Sequence, residues 1–209
     1  AGAKALFVTK VDGPGHLKLV DELVSEVERE ADRPSGDVRL IPMLETASAY
    51  FKAVDVARGS ARNVGMNLGG EDFALDVGMT PDTETLLMPK QTLVIAAKAA
   101  QIMAMGFIGT VADYTDIDNF RATVRRSRKF GFEAASVIHP SGVAILNEEF
   151  TPSAEEVEAA RRIIAAYEDA KQQGIGAIKV DGKMIDVPVA VRAERLLARY
   201  DAIMAKGLN

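Results

Sequence analysis

Short apolar runs alternate with segments of helical period along most of the chain. Ala5–Val8 is apolar throughout, and Leu17, Val20, Leu23, Val24 and Val27 then recur at spacings of three and four. The first pattern predicts a buried strand and the second an amphipathic helix. Val38–Leu44 predicts the next strand and Ala47–Arg58 the next helix. Asn63–Leu68 reads as a third strand, followed by a loop from Gly69 to about Thr85, rich in Gly and Asp. Gln91–Met105 is apolar on most sides, which predicts a well-covered helix. Phe107–Val111 predicts a fourth strand, Asp118–Phe130 a helix stopped by Gly131, and Ala134–Ile138 a fifth strand. Strands that do not alternate strictly, each followed by a helix, predict a parallel sheet with helices over it.

The pattern changes after Pro140. Ser153 followed by Glu156 has the spacing of a capping box, with Pro152 just ahead. The helix it starts carries Val157, Ala160, Ile164 and Tyr167 on one stripe and ends at Gly174. Ile175–Val180 and Lys183–Val187 flank Asp181-Gly182, a pair suited to a type I′ turn, and so predict a hairpin. A last helix is expected from Val189 to Ala205. A barrel closes with eight strands. Five strand–helix units therefore leave two architectures: an open sheet, or a barrel whose first three units lie outside this sequence.

Composition narrows the function. The net charge of −5 argues against a nucleic-acid binder, which needs a basic excess. The chain has no cysteine, which excludes disulfides, thiolate metal sites and cysteine nucleophiles. The apolar run Leu93–Ala100 is broken by Lys98 and is too short to span a bilayer. A cytoplasmic location is the expectation.

Two acids stand where chemistry is expected. Glu45 ends the second strand and Asp72 follows the third. Active sites of parallel α/β folds gather at the carboxyl ends of strands. Two carboxylates side by side repel, and a hard divalent cation such as Mg²⁺ relieves that repulsion. Gly69 and Gly70 allow close backbone approach and can turn N–H groups toward a ligand. Ordinary solvated acids in a strand-end loop are the other reading of the same spacing.

Longer motifs carry a resemblance. Ile41-Pro-Met-Leu-Glu45-Thr-Ala, Gly70-Glu71-Asp72-Phe73, Ile138-His-Pro-Ser141, Phe150-Thr-Pro-Ser153 and Gly182-Lys-Met-Ile-Asp186-x-Pro188 occur in that order. Together they resemble the citrate lyase beta subunit family, within the HpcH/HpaI aldolase superfamily. The resemblance implies a (β/α)₈ TIM barrel, of which residues 1–150 hold about the last five strand–helix units. It implies that residues 151–209 form a helix–hairpin–helix extension reaching a neighbouring subunit, in a homo-trimer or hexamer. It implies a Mg²⁺ ion held by Glu45 and Asp72, acyl-CoA or oxo-acid substrates, and Asp186 as the general acid/base. Gly70, Glu71 and Lys10 are the expected substrate-binding residues.

The chain departs from the family pattern in places. Thr9-Lys10 stands where Pro-Lys is usual, and Gly142 follows Ser141 where Gln is common. The family's first three strands carry an Arg that grips the substrate carboxylate and an acidic stretch; neither matches here. The expectation is that about eighty residues precede Ala1, at roughly 30 for each missing unit. Other residues rank lower. His16 reads as a surface residue. His139 beside Pro140 reads as structural or as a substrate contact. Arg121, Arg125, Arg126, Arg128 and Lys129 read as a solvated helix face rather than a CoA phosphate site. Met103 and Met105 read as core packing at the end of a helix.

The leading reading is a Mg²⁺-dependent carbon–carbon lyase acting on a hydroxy-acyl-CoA thioester, citryl-CoA- or malyl-CoA-like, through an enolate. A class II aldolase using pyruvate-type oxo acids would share Glu45 and Asp72. A non-catalytic partner subunit, or a truncated remnant that only associates, is the third reading, because an incomplete barrel exposes strand edges that must pair.

Overall fold

The structure is a computed structural model and describes residues 2–109 and 116–207. It contains two compact units, Ala1–Leu146 and Asn147–Asn209.

In the first unit, strands β1 (Ala5–Val8), β2 (Arg39–Leu44), β3 (Gly65–Leu68) and β4 (Met103–Ala104) form one parallel sheet in chain order. Helix α1 (Pro14–Glu30) joins β1 to β2. Two short helices, α2 (Ala47–Phe51) and α3 (Ala53–Ala57), join β2 to β3. Helices α4 (Gly70–Val77) and α5 (Leu87–Ala99) join β3 to β4. Helix α6 (Ile117–Lys129) follows, and α7 (Ser141–Phe150) crosses from the first unit into the second.

Pro42 is the last β2 residue aligned with β1, opposite Val8. On its other side β2 pairs with β3, as Met43 with Asn67 and Leu44 with Leu68, and Leu40 already bridges to Asn63. Every residue of β3 is buried, as a strand covered on both faces requires. Leu40, Leu44, Met66 and Ala104 from the sheet are buried, as are Leu17 of α1, Val56 of α3 and Leu93 and Ala97 of α5. The edge strand β1 was expected to be buried and is not: Leu6 and Phe7 are both exposed, because β1 pairs only on its β2 side among the described residues.

The end of the sheet where the strands begin is tied by a buried charge network. Arg62 donates to Glu28 from Nη1 at 2.9 Å and Nη2 at 2.7 Å, and its Nε donates to Asp21 at 2.6 Å. Glu28 also accepts the backbone N–H groups of Gly36 at 2.9 Å and Val38 at 2.7 Å. These bonds hold α1 to the chain entering β2 and β3. They satisfy the buried carboxylate, whose pKa falls from 4.5 to about 2, chiefly through the Arg62 hydrogen bonds.

Five further expectations for the first unit need correction. The helix expected over Ala47–Arg58 breaks at Lys52, whose N–H bonds back three residues to Ala49 at 3.0 Å. The loop expected over Gly69–Thr85 contains α4, because Phe73 and Ala74 find burial and Glu71 and Asp72 suit a helix start. The helix expected to run to Met105 ends at Ala99; Gln101 then takes the left-handed conformation (φ 60°) and Met103 enters β4. The fourth strand therefore lies at Met103–Ala104; Phe107–Ile108 is not strand, and residues 110–111 lie outside the described residues. The fifth strand is reduced to a single parallel bridge between Met105 and Ala134. Helix α7 answers no sequence expectation.

In the second unit, α8 (Ala154–Gln172) packs on α9 (Val187–Met204). Between them β5 (Ile178–Val180) and β6 (Lys183–Ile185) form the antiparallel hairpin. Asp181 (φ 48°) and Gly182 (φ 79°) supply the two left-handed residues of its turn. The capping box is formed, with Ser153 accepting from the Glu156 N–H at 3.2 Å and Glu156 from the Ser153 N–H at 2.8 Å. Small buried residues, Ala160 on α8 and Ala190 and Ala193 on α9, let the helices approach closely.

Candidate active site at the carboxyl ends of the strands

Three consecutive strands of the sheet deliver polar groups to the same end. Lys10 follows β1, Glu45 follows β2, and Gly69 and Gly70 follow β3 and open α4, whose first turn carries Asp72. Lys10 links the acids. Its backbone N–H donates to Glu45 Oε2 at 2.5 Å, and its Nζ donates to Asp72 Oδ1 at 2.6 Å. Lys10 adopts φ 49°, a left-handed conformation that a non-glycine residue rarely takes and that marks local strain. The Asp72 hydrogen bond and charge raise the Lys10 pKa against desolvation, with smaller help from Glu45 and Asp76.

Glu45 is only 5% exposed, and its position depends on Gly69. A Cβ at position 69 would stand 2.7 Å from Glu45 Cγ and 2.8 Å from Oε1. The Gly69 N–H meanwhile bonds to Leu44 O at 3.0 Å, which fixes the strand ends side by side. Asp76, one turn beyond Asp72, is engaged by the Ala47 N–H at 2.7 Å.

The donor set fits a hard divalent cation. Glu45 accepts the neutral backbone N–H of Lys10 and Asp72 accepts its ammonium, so both carboxylates face the same residue. Among the described residues no group of three His, Cys, Asp or Glu side chains converges anywhere. Two carboxylates are what Mg²⁺ uses when water and substrate oxygens complete its shell.

A cavity of about 160 Å³ opens beside the acids, lined by Asn67, Gly69, Gly70, Glu71, Lys90 and Gly106 among others. Gly70 and Glu71 are thus placed at a ligand-sized space. Lys90 is the residue that sequence reasoning missed. It is 7% exposed, and burial lowers its pKa to about 8 against a weaker opposing pull from Glu71. The available signal was a lysine within the apolar run that becomes α5.

Asp186 lies in the second unit, where its side chain accepts from the Val189 N–H at 3.3 Å as the N-cap of α9. His139 sits at the start of α7, with Nδ1 2.8 Å from Ser141 Oγ and accepting the Ser141 N–H at 3.2 Å. His16 lies on the first turn of α1. The basic residues from Arg121 to Lys129 lie on α6, where Arg126 stacks over Phe130 at 5.7 Å. Met105 is buried as expected, but Met103 is a partly exposed strand residue rather than the end of a helix.

Comparison with known proteins now decides the relationship. The family described as HpcH/HpaI aldolase/citrate lyase matches residues 1–140. This chain belongs to that family. Among the relatives of the HpcH/HpaI chain, the citrate lyase subunit beta of Leuconostoc mesenteroides subsp. cremoris is 31% identical over 97% of this chain and 67% of its own length. The mitochondrial citramalyl-CoA lyase of Mus musculus is 32% identical over 97% of this chain and 62% of its own length. The chain therefore spans about two thirds of these relatives. A similar solved structure is protein CitE from Mycobacterium tuberculosis in complex with magnesium, acetoacetate and coenzyme A. It has a TM-score of 0.73 and 25% identity over 95% of this chain and 68% of that one. Among the described residues no helix is long and apolar enough to cross a membrane.

Proposed function

We propose that this chain is the larger part of a Mg²⁺-dependent carbon–carbon lyase that cleaves a hydroxy-acyl-CoA thioester through an enolate. The observation that carries this reading is the convergence of Glu45 and Asp72 on Lys10 at the carboxyl ends of neighbouring strands. Family membership and a relative that acts on citramalyl-CoA support the substrate class.

Glu45 and Asp72 would hold the metal, which supplies Lewis-acid stabilisation of charge on a substrate oxygen when bound. The chain's own groups do the rest. The N–H groups of Gly70 and Glu71 start a helix and have no intrahelical acceptor, so they can bind a carboxylate. The covered side of the cavity, with Asn67, Leu68 and Phe107 buried, limits access of water to the reacting carbon. Asp186 moves the proton between the carbinol and the thioester carbon, from a subunit that brings the C-terminal unit to this site. The parallel sheet is read as part of a (β/α)₈ barrel whose remaining strands continue beyond the outer edge of β1. The exposed Leu6 and Phe7 on β1 support that reading. The whole is read as a cytoplasmic homo-oligomer, a trimer or hexamer, on the strength of the family resemblance.

Incubation with Mg²⁺ and citramalyl-CoA or malyl-CoA tests the proposal. The expected result is release of acetyl-CoA with pyruvate or glyoxylate. Thermal stabilisation by pyruvate with Mg²⁺, without stabilisation or cleavage by either thioester, would replace this reading with the aldolase one.

A further inference from the structure

Lys90 stands in the first turn of α5 with its ammonium group facing the cavity beside Gly70. A Cβ on Gly70 would lie 3.7 Å from Lys90 Nζ. An ammonium group has three donors and no acceptor. One Lys90 N–H is donated to the carbonyl oxygen of Gly109. Among the described residues no carboxylate stands within ion-pair distance, and Glu71 acts on Lys90 only at longer range. Among those residues the buried ammonium thus has one acceptor and no counter-charge. Burying a charge without a counter-charge is costly unless a partner completes its bonding.

The opposite wall supplies further donors. Gly69 precedes α4 and has no side chain to cap it. The N–H groups of Gly70 and Glu71 lack helical acceptors for the same reason that any first turn does. The cavity thus holds a buried cation and a pair of backbone donors, set against one exposed carboxylate, that of Glu71. At about 160 Å³ it is the size of a small organic acid rather than of a nucleotide.

We propose that Lys90 is a substrate-binding residue whose ammonium, with the Gly70 and Glu71 N–H groups, takes one carboxylate of a short oxo acid. The proposal rests on the lyase reading for the identity of that acid as the fragment released from the thioester. It adds a specificity rule. An acid fits, whereas the corresponding ester or amide leaves the ammonium buried without its counter-charge. The Lys90 ammonium and the two N–H groups are present in the metal-free chain as well.

Titration of the metal-free chain with malonate, and separately with inorganic phosphate, tests the proposal. Wild type is expected to bind malonate, with the Lys90 ε-carbon resonance reporting an upward shift of its titration midpoint. Lys90→Gln is expected to weaken malonate binding at least tenfold, and Lys90→Arg to keep most of it. Thermal unfolding of each variant shows that it is folded. If Lys90→Gln does not fold, the wild-type resonance decides alone, because a lysine serving only to anchor Gly109 would not respond to malonate. No malonate binding by wild type, equal affinity in folded Lys90→Gln, or Lys90-dependent binding of phosphate but not malonate would each overturn the proposal. Neither CoA nor metal is present, so a failed cleavage assay alongside intact malonate binding would remove the lyase reading and keep this site.

Discussion

Gly69 lies so close to Glu45 that a single added carbon would stand 2.7 Å from the glutamate Cγ. The carboxylate of β2 and the turn after β3 are therefore built as one piece. Gly69→Ala is expected to displace Glu45 and weaken Mg²⁺ binding at least tenfold. Overpacking of this kind costs about 1–3 kcal/mol of stability. Calorimetric titration and thermal unfolding of the same preparation separate the two effects.

Lys10 pairs its ammonium with Asp72 and its backbone N–H with Glu45. The Lys10–Asp72 ion pair is largely exposed, so its removal changes stability little. Its removal also takes the ammonium away from Asp72, while the backbone N–H of residue 10 stays on Glu45. Lys10→Met is expected to tighten Mg²⁺ binding several-fold in direct titration, while losing affinity for an anionic substrate. Weaker metal binding in this variant would show that Lys10 supports the site rather than competing in it.

Asp186 has two roles that substitution can separate. It caps α9, and it is the proposed proton carrier. Asp186→Ala removes both and is expected to cost about 1 kcal/mol of stability along with turnover. Asp186→Asn keeps a good cap and loses the acid. The expected outcome is near-native unfolding and substrate affinity with a large fall in kcat. Unchanged turnover in the asparagine variant would confine Asp186 to capping.

The Arg62 network predicts an acid limb of stability. Glu28 has its pKa lowered to about 2 in the folded chain, against an ordinary 4.5. The unfolded chain thus binds more protons between those values, so the contribution is complete above pH 4.5 and is lost as pH falls toward 2. Asp21 shifts the same way, through Ser60 and Arg62, against an opposing desolvation effect. Arg62→Met leaves Glu28 buried without its partner and is expected to destabilise by about 3 kcal/mol. Thermal midpoints measured from pH 7 to pH 3 should fall in wild type and fall less steeply in Arg62→Met.

Much of this was legible in the residues. The strand at Ala5–Val8 and the capping box at Ser153 announced themselves because period and chemistry agreed locally. The two acids could be placed because strand ends are where a parallel sheet presents side chains. Helix α4 was hidden because Gly69, Gly70 and the nearby acids have loop composition. The burial of Phe73 and the left-handed stop at Gly78 (φ 74°) outweigh that composition. Strand β4 was hidden because Met103 continues the apolar run of α5, and only the turn at Gln101 separates them. Lys90 was hidden for a different reason: a lysine in a helix looks solvated until tertiary packing encloses it.

Glu45 and Asp72 are proposed to hold one divalent cation together. Calorimetric titration of Mg²⁺ into wild type, Glu45→Gln and Asp72→Asn measures it directly. The expected result is one site in wild type, affinity reduced at least tenfold in each variant, and unfolding of Asp72→Asn close to that of wild type. Folded variants that both bind Mg²⁺ as wild type does, or a wild-type chain that binds none, would contradict it.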